Sequence, residues 1–338
     1  MGYRPDRTRL SGAAPVGHQG DDDLSPEPNL PRWGVVATIK ASPRAILDFA
    51  AYHLDLGAHR IYLYLDAPNP AREVLGAHPK LRVTECDDRW WRRRGGRPNK
   101  HQVRQSVNAT HAYARRAEVD WLAHIDVDEF LAPGASVAAA LAALPPGTLT
   151  ARMRPMEALA GSEGMFKAFI PPGPERRPTV ARLYPNFGTF VTGGFLSHVA
   201  GKVFLRTGLD GIAFRIHNAF QGDVMNPGEA EAGEALALCH RHAGDWEAWI
   251  AAFQYRLDRG AYRAELPPAA KNGATLHALL DRIARSEGEA GLRAFFDEVA
   301  AASPELVTRL RREGLLREID LNLQARREKH FPGAVIDP

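Results

Sequence analysis

The chain has 338 residues, with 43 basic and 40 acidic side chains and a formal net charge of +3. So balanced a charge gives no basis for general nucleic-acid binding, and two cysteines, Cys86 and Cys239, cannot build a disulfide framework or a CxxC zinc site. No window approaches the roughly 18 uninterrupted apolar residues of a membrane span; with no apolar run of the signal-peptide kind in the first thirty residues, the expectation is a cytoplasmic protein.

Residues 1–31, rich in Pro, Gly and Asp, read as a disordered leader. "WGVVATI" (Trp33 to Ile39) is β-rich and short enough for a buried strand. The following "SPRAILDFAAYHLDLG" predicts a helix. Ser42 serves as N-cap, Pro43 takes the first helical position, Ile46, Phe49, Ala50, His53 and Leu54 recur at helical spacing, and Gly57 is the stop. "RIYLYL" and "LRVTEC" are the next two strands, and a helix over 101–117 leads to a fourth, "WLAHI". Strands alternating with helices predict an α/β fold with a mostly parallel sheet covered by helices on both faces.

Beyond that half (32–135), "SVAAALAAL" reads as a helix and "LTARMRPM" as a strand. Residues 157–225, full of Gly, Pro and aromatics, suggest long loops and short strands. From about Gly244 the spacing is helical again, giving a C-terminal helical region over 244–338 behind a catalytic domain over 32–243, whose second half (136–243) would take the acceptor.

"WLAHIDVDEFLAP" places Asp126, Asp128 and Glu129 directly behind an apolar strand. In open α/β sheets, ligands bind beyond the carboxyl ends of the strands. In extended chain, residues i and i+2 share a side, so Asp126 and Asp128 can face one target. Two close carboxylates raise each other's pKa unless a cation intervenes, and Mg2+ or Mn2+ would supply it while holding substrate phosphates. The plainer alternative is a pair of loop carboxylates, one capping and one solvated.

The same segment resembles the "dWl..iDvDEFl" stretch of GT-A glycosyltransferases of the family-2-like and family-92-like type. "AILDFAAYHLDLGAHRIYLYLDAPNP" is similar to their opening "leeW..YH..lGv..iyiyd". "LAGSEGM", "GKVFLR", "FRIHNA" and "LCHRHAGDWEAWIAAFQYRLDRG" resemble later family segments, so the likeness runs with gaps from about Val35 to Gly260. It implies a GT-A fold and an enzyme, dependent on Mn2+ or Mg2+, moving a sugar from a UDP-linked nucleotide sugar to a hydroxyl of a glycan or other acceptor. Two departures stand out: "IKASPR" replaces the usual NE-type pair after the first strand, and Arg241 follows the histidine where the family favours Tyr.

The resemblance further implies a histidine from a distant loop in the metal shell. His240 matches best, with His242 and His217 as alternatives; His217 can instead touch diphosphate or acceptor. Asp66, ending the second strand, falls where such enzymes contact base or ribose, unless it only forms a turn before "APNP". Lys202 and Arg206 are candidate cations for the diphosphate, or else line a solvated strand face. If transfer inverts the anomeric centre, a carboxylate must take the acceptor proton, and Glu163, Asp245 and Glu129 are the candidates; Glu129 can equally fold back as a cap. Gln102, Gln105 and Asn108 share one helix face, for donor contacts or simple solvation. "RWWRRRGGRPNK" (Arg89 to Lys100) suits phosphate, an anionic glycan, peripheral contact with the inner face of a membrane, or a loop over the donor. Two other readings stand beside the enzyme: an aspartyl-phosphate phosphohydrolase, and a non-catalytic nucleotide-sugar binding module.

Overall fold

Strand β1 (Trp33–Ile39) is buried at every position, as a continuous apolar run must be in a sheet covered on both faces. Helix α1 (Pro43–Asp55) opens where Ala45 N donates to Ser42 Oγ at 3.3 Å, with Pro43 in its first turn. Gly57 closes it at φ +93°, a conformation that glycine enters without steric cost. The computed structural model describes residues 30–115, 118–242, 244–259 and 276–334. All but the last two residues of the expected leader lie outside these ranges, and the chain from Pro31 onward forms one compact unit.

The chain continues through β2 (Arg60–Leu65), α2 (Arg72–Ala77), β3 (Leu81–Glu85), α3 (Asp88–Arg92) and α4 (His101–Ala114) to β4 (Trp121–His124). Next come β5 (Glu129–Pro133), α5 (Val137–Ala142), β6 (Thr150–Met153), β7 (Pro155–Ala158), β8 (Met165–Lys167) and α6 (Arg176–Leu183). Strands β9 (Lys202–Arg206), β10 (Ile212–Phe214), β11 (Ala219–Gln221), β12 (Val224–Met225), β13 (Glu229–Glu231) and β14 (Leu236–His240) follow. The C-terminal part holds α7 (Trp246–Arg259), α8 (Leu276–Ser286), α9 (Gly288–Val299), α10 (Pro304–Arg312), β15 (Leu316–Glu318) and α11 (Leu323–His330).

The main sheet has the order β13-β6-β9-β4-β1-β2-β3. Its β1–β2, β2–β3, β1–β4 and β6–β13 pairs are parallel, and β9 alone runs antiparallel to both neighbours. The expected mostly parallel α/β sheet is therefore present. One face packs α1 over Ile46, Phe49 and Ala50, and the other packs α4 through Ala109, Ala112 and Tyr113.

A second sheet, β15-β8-β7-β14-β5, stands beside the first. It corrects the reading of "LTARMRPM" as one strand: the chain breaks at Arg154, so β6 joins the main sheet and β7 the second. Hydrophobic alternation continues across the break, which is why it is invisible to periodicity. The C-terminal stretch adds a strand, β15, as well as helices, and α11 lies against α1 with Arg326 2.9 Å from Asp55 and Arg327 ion-paired to Asp48. No helix among the described residues is long and apolar enough to cross a membrane.

Candidate active site

Strand β4 ends at His124 and β5 begins at Glu129, so the acidic residues form the turn that carries the chain from one sheet to the other. The turn is tight. Glu129 N donates to Asp126 O at 3.1 Å, and Asp126 N donates to Glu129 Oε2 at 2.8 Å. Glu129 thus folds back to cap its own turn. This bend also corrects the extended geometry expected for the DxD: Asp126 turns toward Lys202 with its side chain 31 % exposed, and Asp128 stays 43 % exposed.

Lys202, on β9, compensates the buried charge. Its Nζ lies 2.6 Å from Asp126 Oδ2 and 3.1 Å from Glu129 Oε2, and its side chain has no solvent exposure. Gln105, from α4, donates to Asp126 Oδ1. Burial alone would push the Asp126 carboxyl up, but the Lys202 ammonium overrides it and holds Asp126 well below the usual carboxylate range. Burial dominates at Glu129 and raises its pKa, with Lys202 opposing. Burial would pull Lys202 down, yet Glu129 and Asp126 keep it above its ordinary value. Lys202 stands closer to Asp126 than to Glu129, and Gln105 adds a side-chain donor, so the charged form is favoured more strongly at Asp126.

His240 ends β14, in register with Glu129 on β5 and Glu157 on β7, so the three side chains share one face of the second sheet. Its Nε2 lies 3.5 Å from Asp128 Oδ2. Burial works against the imidazolium, but the hydrogen bond and charge of Asp128, with Glu129 and Glu157 behind it, raise its pKa to about 9. Three more histidines gather here. The His198 ring stands 3.9 Å from His217 and 6.1 Å from His240, and His242 stands 5.5 Å from His240.

His217 Nδ1 is 3.0 Å from Gly201 O. A carbonyl only accepts, so Nδ1 carries the proton and Nε2 of the neutral ring keeps a lone pair. Burial, then neighbouring positive groups, holds His198 down at about 3 and His217 at about 4.

Among the described residues no three His, Cys, Asp or Glu side chains converge as a ligand set for a metal ion. Both Asp126 oxygens already accept hydrogen bonds. The Asp128–His240 pair is different. Its donor atoms, 3.5 Å apart, suit two bonds of about 2.0–2.1 Å to one small divalent cation, which ordinarily completes its shell with water and substrate phosphates. Asp128 Oδ2 and His240 Nε2 are thus the two protein atoms that would hold such an ion, once Nε2 gives up the proton it shares with Asp128.

The remaining expected residues scatter. Asp66 is sealed at the end of β2 between Arg97 (2.9 Å) and Arg104 (2.8 Å), with no side-chain exposure. Gln102 is exposed in the first turn of α4, whereas Asn108 donates to Thr38 Oγ1 at 3.1 Å and accepts from Trp90 Nε1 at 3.1 Å. Arg206 belongs elsewhere: it pairs with Trp121 at the start of β4, its guanidinium 4.6 Å from that indole, while Lys202 four residues earlier reaches the strand's other end. Asp245 caps α7 by accepting from Ala248 N at 2.8 Å. Glu163 lies exposed in a loop. In the basic run, Arg94 stacks 3.2 Å over Trp90 and Arg97 holds Asp66.

Glu157, Lys167 and His198 went unnoticed in the sequence. Glu157 pairs with Lys167 at 2.6 Å and accepts from Leu196 N (3.1 Å) and Ser197 N (2.7 Å), which places the backbone beside His198. A signal existed, since both charges sit inside apolar strands, "PMEA" and "MFK".

No protein-family model matches the chain, and no curated protein matches it. A solved structure of the galactosyltransferase LgtC, in complex with donor and acceptor sugar analogs, is similar over 51% of this chain at 13% identity and a TM-score of 0.24. The similarity spans 57% of that chain.

Proposed function

We propose that this chain is a metal-dependent glycosyltransferase that moves a sugar from a nucleotide sugar, UDP-linked by resemblance, to an acceptor hydroxyl. The observation that carries the reading is the acidic turn beyond the parallel strands, where Asp128 and His240 offer two ligand atoms 3.5 Å apart beside the Lys202-held Asp126. Mn2+ or Mg2+ bound there would supply Lewis-acid stabilisation of the leaving diphosphate.

The protein's own groups do the rest. Lys202 and Gln105 keep Asp126 ionised and fixed in place beside Asp128. Arg97 and Arg104 surround the end of β2, where the nucleotide is expected, and present cations to it. His217, its tautomer set by Gly201 O, offers Nε2 to a hydroxyl. Glu129 has no solvent exposure and is paired with Lys202, so in this reading it acts as a support rather than as a base.

The test is turnover of UDP-sugars with and without Mn2+. Asp128→Asn should remove the ion-dependent rate and leave the fold intact, because Asp128 is half exposed; full activity of that variant refutes the assignment. One observation favours a second reading: a buried lysine 2.6 Å from Asp126 also suits an aspartyl-phosphate phosphohydrolase. Release of phosphate from a simple monoester, lost in Asp126→Asn, would establish that reading instead.

A further inference from the structure

A cavity of about 1030 Å³ lies on the second sheet, away from the acidic turn. It is lined by Ala132 and Pro133 at the far end of β5, by Pro155 and Met156 at the start of β7 and by Ala237 at the start of β14. Strand alternation puts Met156, Ala132 and Ala237 on the face opposite Glu157 and His240. Ala132 and Ala237 are cross-strand partners, and two methyl side chains in register leave a dent where larger residues would fill the sheet face. Tyr52, Phe169 and Ile319 wall it. The volume stands at the upper end of the roughly 300–1,000 Å³ of small-molecule sites.

The mouth is cationic. Arg154, Arg317 and Arg326 line it with Glu231 and Glu234. Glu234 is 97 % exposed and 3.6 Å from Arg317, a pair that holds its cation weakly, whereas Glu231 grips Arg154 through two hydrogen bonds. Asp55, the partner of Arg326, is shared with Lys329 and His330. Positive charge over an apolar floor selects an amphiphile with an anionic head.

We propose that this cavity is a binding site for a single-chain anionic amphiphile of the fatty-carboxylate class, its chain on the Ala132–Ala237 floor and its head at Arg317. The site goes beyond the glycosyl-transfer reading and does not depend on it.

The test is calorimetric titration of the full chain with decanoate, dodecanoate and tetradecanoate below their micelle thresholds. Affinity should rise about threefold to fourfold per methylene. Ala237→Phe should abolish binding, and Arg317→Gln should weaken dodecanoate several-fold while leaving neutral dodecanol unchanged. Ala132→Val, a smaller filling, serves if Ala237→Phe fails to fold, and near-ultraviolet circular dichroism checks each variant. Binding that ignores chain length, survives both fillings, or is equal for dodecanoate and dodecyl maltoside overturns the proposal. So does binding to anionic vesicles with none to the monomeric carboxylates. UDP-sugar turnover is measured separately, so either idea can fail alone.

Discussion

Replacing Lys202 with methionine probes the charge balance of the acidic turn directly. The side chain keeps its length and loses its ammonium, which lies 2.6 Å from Asp126 and 3.1 Å from Glu129 with no solvent exposure. Removing one member of a buried ion pair costs about 3–5 kcal/mol, because the remaining charge stays desolvated. Glu129, its pKa already raised by burial, can take a proton, and Gln105 still donates to Asp126; both place the loss at the lower end, about 3 kcal/mol. In a domain of this size each kcal/mol moves Tm by about 1.5 °C, so thermal unfolding at pH 7 should fall by roughly 4–5 °C.

The pH dependence gives a second signature. In the parent chain Asp126 has a depressed folded-state pKa, so it contributes stability above its unfolded pKa of about 3.9 that is lost as pH falls toward the folded value. Without Lys202 that depression disappears and the carboxyl protonates at higher pH. The variant's deficit should therefore be largest at pH 7 and shrink as pH falls below about 4. A Tm within 1 °C of the parent at pH 7, or a deficit that does not shrink in acid, refutes the reasoning.

Asp128→Asn should also lower the His240 pKa from about 9 toward its ordinary value, visible in NMR as an imidazole titration moved to lower pH, and the stability that the charged pair contributes at pH 7 is lost with it. His53, fully buried and held down at about 4 by burial, is neutral in the folded chain and takes a proton on unfolding below about pH 6.5. Stability is thus full above 6.5 and falls as pH drops toward 4, by about 3 kcal/mol from this group; His53→Phe should flatten that stretch of a urea-unfolding pH series. Gly201 has φ +71°, and a Cβ there would stand 2.0 Å from Met153 O. Gly201→Ala should cost at least about 2 kcal/mol by denaturant titration and displace Lys202 next to it.

The sequence by itself determined the first half of the molecule. An uninterrupted apolar run from Trp33 to Ile39, the Ser42–Pro43 start and the Gly57 stop are local signals, and local hydrogen bonding and sterics are what they act through. It also located the acidic turn beyond β4, because strand order in a βαβ pattern puts that turn at a ligand-binding edge. Tertiary structure alone decided what balances the charge. Lys202 is 76 residues from Asp126, and nothing local to "IDVDEF" requires a lysine on a distant antiparallel strand to end there.

The same holds for Asp66. As a strand-terminal acid it looked open to a ligand, and the fold seals it with Arg97 and Arg104. Lys202 and Arg206 looked equivalent in "GKVFLR"; strand rise separates them by about 13 Å, so one reaches the site and the other stacks on Trp121. Electrostatic compensation is a property of distances in space, and sequence constrains those only where hydrogen-bonded neighbours are close along the chain.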